Sequence, residues 1–174
     1  DVVLEIGSGC GYMSALIAPL VDKLYCCDVS KSFLRFAKKE CAGISNISFE
    51  HVQMYSFRFQ FLADRSIDAV FAHNVFIHLS LYDIFWYLKE ISRVVKPGGR
   101  VWFDIANVET FDLPNNRSFL EMAQHYKGDN IDCWPMLMQW NSPQAIYEIA
   151  RMFGFRLMGE DLLQHDKFFS LVKE

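Results

Sequence analysis

Three closely spaced glycines near the start of the chain give the sequence its clearest chemical signal. Gly7, Gly9 and Gly11 follow the apolar run 2–6 and precede a segment with helical spacing. Glycines between a strand and a helix let a ligand approach bare backbone and the free N–H groups of the helix. A dinucleotide site uses the spacing GxGxxG, and its third glycine would stand where this chain has Tyr12. The GxGxG spacing therefore favours a ligand without a pyrophosphate.

Two carboxylates flank the glycine loop. Glu5 lies two residues before the first glycine, at a strand position where a core residue would be apolar, and Asp28 ends the second apolar run. A buried carboxylate is costly unless it meets a cation or hydrogen-bond donors. An acid at the end of the second strand is placed to accept hydrogen bonds from a ribose diol. A ligand with a ribose and a cationic amine would satisfy both, although Asp28 alone could also be a helix-capping turn residue.

The segments that must position these residues alternate short apolar runs with amphipathic stretches, as in βαβ units around a parallel sheet. We predict strands over residues 2–6, 24–27, 47–52, 67–72, 100–105, 155–158 and 168–172. We predict helices over residues 13–20, 31–41, 82–95 and 142–152. The expected fold is α/β, a doubly wound, mostly parallel seven-stranded Rossmann-like sheet with an antiparallel edge hairpin formed by the last two strands. Residues 1–174 are expected to form a single domain.

Two regions of the chain do not follow this alternation of strands and helices. Residues 107–141 are expected to be a variable insertion on the substrate side, with a helical piece over 118–126. Their many large apolar side chains would either bind the substrate or simply cover the sheet edge. The chain also opens directly on a strand, and we expect a further N-terminal segment to precede it.

Composition argues against several classes of function. The 174 residues carry a net charge of −4 without a clustered basic patch, so nucleic-acid binding is not expected. No apolar run is long enough to cross a bilayer, and the first residues do not read as a signal peptide, so we expect a cytoplasmic protein without membrane association. The five cysteines form no CxxC pair, and no ligand cluster has metal spacing, which predicts reduced thiols and no metal site. A monomer or homodimer is expected.

Four segments together resemble the class I S-adenosylmethionine-dependent methyltransferases, of the small-molecule kind similar to the type 11/12 domains. Residues 5–11, EIGSGCG, resemble the first motif of that family, E/D-x-G-x-G-x-G. Residues 66–79 resemble its fourth strand and following loop, residues 90–100 its R-V-L-K-P-G-G segment, and residues 142–155 its last helix and G-F strand entry. The match spans nearly the whole chain in the right order, which implies the family's fold and activity.

The resemblance implies S-adenosylmethionine as the cofactor. Its methionine part would lie over the glycines, with Glu5 positioning the amino group and Asp28 holding the ribose hydroxyls. Gln53 stands where the family usually has an aspartate facing the adenine amine, and its amide oxygen can still accept from that amine. Val29 would flank the adenine. The expected cofactor-binding residues are Glu5, Gly7, Ser8, Gly9, Gly11, Tyr12, Asp28, Val29, Gln53, Met54, His73 and Asn74.

The implied reaction is an in-line displacement, in which the protein mainly aligns the reacting atoms. A general base is needed only if the acceptor must lose a proton. The candidate catalytic residues are His73, His78 and His125, with Asp104 as a further candidate. His78 could equally be a structural histidine, and His125 a surface one.

The expected acceptor is a small molecule. The turn 73–76 lacks the N/D-P-P-Y/F motif of methylases that act on exocyclic base amines. It also lacks the Pro-Cys pair of cysteine-nucleophile methylases and the aspartate ligands of metal-dependent catechol-type enzymes. Two other functions stay open: a methyltransferase-like module that binds the cofactor or a partner without turnover, and a nicotinamide-dependent oxidoreductase, which the GxGxG spacing disfavours.

Overall fold

Parallel strands form the centre of the fold, and amphipathic helices connect them. The computed structural model describes residues 1–109, 138–163 and 166–174, and the side chains within these ranges except those of 160–167. The strands are β1 (Val2–Ile6), β2 (Lys23–Asp28), β3 (Ile47–His51), β4 (Ile67–Ala72), β5 (Val95–Asn107), β6 (Trp140–Asn141), β7 (Phe155–Leu163) and β8 (Asp166–Lys173). The helices are α1 (Tyr12–Ile17), α2 (Lys31–Glu40), α3 (Leu81–Val94) and α4 (Pro143–Met152).

The main sheet has the strand order β3-β2-β1-β4-β5-β8-β7. Strands β1 to β5 pair in parallel, whereas β8 runs antiparallel to both β5 and β7. The short strand β6 adds a parallel pairing to the far end of β5. The predicted doubly wound sheet with an antiparallel edge hairpin is therefore confirmed. The order reverses between β1 and β4, and ligands of open α/β sheets bind at such a switch point, outside the carboxyl ends of the strands.

Capping residues fix where the helices begin. The Ser30 hydroxyl accepts from the Phe33 N–H at the start of α2, and Ser80 and Asp83 form a reciprocal capping box at the start of α3. The predicted helix over 13–20 is shorter than expected, because α1 ends at Ile17 and a 3₁₀ turn over Ala18–Leu20 follows. Pro19 lies in that turn and has no N–H with which to continue an α-helix.

Two apolar clusters cover opposite faces of the sheet. The larger cluster packs α3 and α4 against the central strands, and the smaller one includes Ala18 and Leu24. Cys26 and Cys27 are both fully buried, one in each cluster, because neighbouring strand residues point to opposite faces. Both are free thiols, as are Cys10 and Cys41, whereas Cys133 lies outside the described residues.

Strand β5 is longer than the predicted 100–105. It begins at Val95, which pairs with Ile67, and the register shifts before regular pairing resumes at Arg100. The predicted helix over 118–126 and most of the 107–141 insertion lie outside the described residues. Within the described part of the chain, no helix combines the length and apolarity that a membrane span requires.

Candidate functional site

The glycine loop joins β1 to α1 through backbone conformations that favour glycine. The φ angles of Gly7, Gly9 and Gly11 are +74°, +52° and +87°. The N–H groups of Gly7 and Ser8 both donate to the Cys27 carbonyl, at 2.8 and 3.1 Å, which ties the loop to β2. Side chains at these three positions would strain the backbone, so the glycines fix the shape of the loop.

The three glycines differ in what surrounds them. A Cβ atom on Gly7 would lie 2.2 Å from Val75 Cγ2, and one on Gly11 would lie 2.8 Å from the Cα of Ala37. A Cβ atom on Gly9 would meet nothing within 4 Å. Gly7 and Gly11 therefore allow close packing within the protein, whereas Gly9 presents its backbone to open space that a ligand could occupy.

Asp28 holds the loop from the carboxyl end of β2. Its Oδ2 accepts from the Gly9 N–H at 2.9 Å and its Oδ1 accepts from the Ser30 N–H at 2.7 Å. The residue is only 7% exposed. A carboxylate offers about four acceptor positions, so two backbone donors leave capacity for further donors such as a pair of hydroxyls. Asp28 thus fills the capping role at the turn before α2, and its spare acceptor capacity leaves the predicted ligand role open to it as well.

Glu5 is buried beneath the loop, as predicted. It is 3% exposed, and its Oε2 accepts hydrogen bonds from the Ser14 hydroxyl and from the Cys26 thiol, the latter at 3.2 Å. These donors come from α1 and β2, whereas the N–H groups of Gly7, Ser8 and Gly9 bond to Cys27 and Asp28. Burial raises the pKa of the Glu5 carboxyl above its ordinary value, and these two hydrogen bonds oppose that rise.

The side chains of Ser8 and Tyr12, at the two ends of the loop, differ in burial. The Ser8 hydroxyl is buried and has no hydrogen-bond partner among the described residues. Such groups usually have a partner, so an incoming ligand could supply one. Tyr12 is 69% exposed at the start of α1. It therefore does not wedge the helix away from the strand, and the close packing at this end of α1 is that of Gly11 on Ala37 of α2.

The residues expected near an adenine lie together at the ends of β2 and β3. Asp28 pairs with His51 in the parallel register, so Val29 and Gln53 follow neighbouring strands. Val29 and Met54 are 41% and 62% exposed, and Gln53 is exposed as well. These side chains form an accessible rim next to Asp28.

The structure places the candidate general bases in different surroundings. His73 follows β4 and lies 3.2 Å from Asp104, measured from Nδ1 to Oδ2. His78 is exposed in a 3₁₀ turn over Phe76–His78, which precedes α3. His125 lies outside the described residues. The described residues thus place His73 next to a buried carboxylate, Asp104, which the sequence offered only as a separate catalytic candidate.

Comparisons with known proteins agree with this geometry. A family model described as a methyltransferase domain matches residues 3–99, more than half of the chain. A curated relative, protein-L-isoaspartate O-methyltransferase of Alcanivorax borkumensis, is 33% identical over 72 residues. That match covers 40% of this chain and 31% of the relative, so the chain spans about a third of that relative's length.

Solved structures share the fold at low sequence identity. A SAM-dependent methyltransferase from Aquifex aeolicus matches with a TM-score of 0.70 and 19% identity, over 99% of this chain and 82% of that one. Magnesium protoporphyrin IX methyltransferase from Synechocystis, solved with bound SAH, matches with a TM-score of 0.75 and 15% identity, over 99% and 74%.

The fold and the glycine loop define a Rossmann-like methyltransferase architecture, and the family match makes the assignment more specific. The chain belongs to the methyltransferase domain family. The resemblance of its motifs to the class I methyltransferases is thereby confirmed.

Proposed function

We propose that this chain transfers a methyl group from S-adenosylmethionine to a small-molecule acceptor. The observation that carries the proposal is the pairing of Gly9 with Asp28. The loop backbone at Gly9 faces open space, and a buried carboxylate with spare acceptor capacity lies directly beside it. Open backbone next to an acid at the carboxyl end of the second strand suits a nucleoside ligand.

The residues present fit this cofactor. Asp28 would accept from the ribose hydroxyls. The Ser8 hydroxyl, which has no partner among the described residues, would gain one from the methionine part. Glu5 would complement the ammonium group from below the loop. Val29 and Gln53, on the accessible rim, would contact the adenine. When bound, the cofactor supplies a methyl group on a sulfonium, and the chain's own task is to hold it in line with the acceptor.

A small-molecule acceptor is favoured by charge and by motif. A net charge of −4 without a clustered basic patch disfavours nucleic acid as the substrate. The turn after β4 carries none of the motifs of base-modifying methylases. The acceptors named for the similar proteins, an isoaspartyl protein and a porphyrin, show that this fold accommodates different acceptors, so the acceptor has to be found by experiment.

Calorimetry with two ligands tests the cofactor half of the proposal. S-adenosylhomocysteine, which lacks the reactive methyl group, is expected to bind with at least tenfold higher affinity than NAD. The physical reason is that the Tyr12 side chain stands where a pyrophosphate site has a glycine, and there it would crowd the pyrophosphate. Equal or tighter binding of NAD would instead favour the oxidoreductase alternative.

A further inference from the structure

The imidazole of His73 is held by a carboxylate that is completely buried. Ala72 of β4 pairs with Phe103 of β5, so His73 and Asp104 are the next residues along neighbouring strands. The Asp104 side chain is 0% exposed, and its Oδ2 lies 3.2 Å from His73 Nδ1. Both carboxylate oxygens also accept from the Asn74 N–H, at 3.0 and 2.9 Å. Asp104 therefore fixes the turn after β4 and the histidine on it.

Two contacts select the same tautomer of His73. The Asp104 carboxylate accepts hydrogen bonds, so the facing Nδ1 carries the proton. Nε2 lies 3.2 Å from the Asn74 amide nitrogen, which can only donate, so Nε2 presents its lone pair. The ring also stacks on Phe168, with the centroids 5.9 Å apart and the planes at 23°. The result is an imidazole with a fixed orientation, whose Nδ1 faces the Asp104 carboxylate and whose Nε2 faces a donor.

This imidazole lies beside the glycine loop. Ile6 of β1 pairs with Ala72 of β4, so Gly7 and His73 leave neighbouring strands at the same edge of the sheet. Val75, two residues after His73, packs over Gly7. The His73 side chain is 48% exposed, so a bound molecule can reach it. The exposed Asn74 amide occupies the position from which an acceptor's O–H or N–H would donate to Nε2.

We propose that His73 accepts the proton of a hydroxyl or amine acceptor during methyl transfer, and that Asp104 is its positioning residue. This inference rests on the proposed function and narrows its substrate class to acceptors that carry a removable proton on oxygen or nitrogen. A lone pair of the acceptor atom forms the new bond to the methyl carbon, and the carbon–sulfur bond breaks with its electron pair going to sulfur. The acceptor's proton moves to His73 Nε2. The imidazolium that forms is balanced by Asp104 until the proton passes to solvent.

Side-chain NMR of the histidine rings in the full chain tests the pairing without an acceptor. In the wild type, with and without S-adenosylhomocysteine, we expect His73 to carry its proton on Nδ1 and to show an unprotonated Nε2 at neutral pH. His73→Gln assigns the signals. In Asp104→Asn the new amide can donate to Nδ1, and the ring proton should move to Nε2, as happens when an aspartate–histidine pair loses its carboxylate. A proton on Nε2 in the wild type overturns the proposal. Because this result needs only the wild-type spectrum, it holds even if Asp104→Asn does not fold.

A methyl-transfer assay on a small-molecule extract tests the role of the proton acceptor. At a saturating concentration of S-adenosylmethionine, His73→Gln and Asp104→Asn are expected to slow transfer by about 10²-fold or more, the usual contribution of a general base. Asp64→Asn, which changes an exposed aspartate paired with Arg93, should transfer at the wild-type rate. Transfer by His73→Gln at the wild-type rate would overturn the proposal and leave the proposed function standing. No transfer by the wild type would contradict the proposed function, and the NMR tautomer would still decide whether Asp104 positions His73.

Discussion

Asp28→Ala is expected to raise the dissociation constant for S-adenosylhomocysteine by about 10- to 150-fold. The change removes charge-assisted hydrogen bonds worth roughly 1.5–3 kcal/mol to a ligand. It also removes the acceptor for the Gly9 and Ser30 N–H groups, so the loop loses part of its support. Calorimetry on the wild type and the variant measures the effect directly.

Two further variants separate ligand binding from loop support. Asp28→Asn keeps the size of the side chain and one acceptor oxygen. We expect its dissociation constant to lie between those of Asp28→Ala and the wild type. Asp64→Ala removes an exposed aspartate on a different surface and should leave the dissociation constant unchanged. If Asp28→Ala binds as tightly as the wild type while the fold is intact, the ribose is held elsewhere.

Glu5→Gln is expected to weaken cofactor binding by about tenfold while leaving the empty protein as stable as the wild type, or slightly more stable. The carboxylate is buried with only two neutral donors identified, Ser14 and Cys26, so its charge is poorly compensated in the empty site. A cationic ammonium above the loop would compensate that charge. A neutral glutamine side chain could not form this ion pair. Thermal melts with and without S-adenosylmethionine, on both proteins, measure the two effects.

The stability difference between these proteins should also depend on pH. Burial raises the pKa of Glu5 in the folded protein above the ordinary value of 4.5. The folded state then binds the proton more tightly than the unfolded state, so the favourable contribution of Glu5 is complete below pH 4.5 and is lost as the pH rises through the folded pKa. The Glu5→Gln variant has no such titratable group. We therefore expect its free energy of unfolding, relative to that of the wild type, to increase as the pH rises through that range.

A second buried glutamate provides the control. Glu90 is 8% exposed, accepts from the Phe59 N–H at 2.8 Å and pairs with Arg93. Glu90→Gln breaks an ion pair that is already formed, so it should destabilise the empty protein and leave the cofactor-induced rise in melting temperature intact. If Glu5→Gln behaves like Glu90→Gln, then Glu5 is a structural carboxylate and its assignment to the cofactor is wrong.

Local sequence patterns were sufficient to predict most of the helices and strands of the fold. Apolar runs bounded by glycine or aspartate predicted β1 and β2, and Ser30 and Pro143 marked the starts of α2 and α4, because capping and proline geometry act within one turn. The antiparallel hairpin of β7 and β8 was also predicted correctly. The spacing of the glycines, with acids at positions 5 and 28, likewise predicted residues that the fold brings together at the carboxyl ends of β1 and β2.

What the sequence could not supply were contacts between residues distant along the chain. The sequence could not show that Gly11 packs on Ala37, or that Glu5 is bonded to Ser14 and Cys26, because these depend on how α1 and α2 pack. The pairing of His73 with Asp104 requires the β4–β5 register, which brings together residues 31 positions apart. Periodicity gives the elements, whereas register and packing decide which side chains meet.

The most direct test of the proposed function is transfer of a labelled methyl group by the wild-type chain. Purified protein is incubated with methyl-labelled S-adenosylmethionine and a cell extract that has been separated into small-molecule, protein and nucleic-acid fractions. We predict label in the small-molecule fraction, and loss of that label with Asp28→Ala at a cofactor concentration below the variant's dissociation constant. Label confined to protein or nucleic acid would contradict the small-molecule acceptor. Tight binding of the cofactor without label in any fraction would contradict methyl transfer itself and favour a module that binds without turnover.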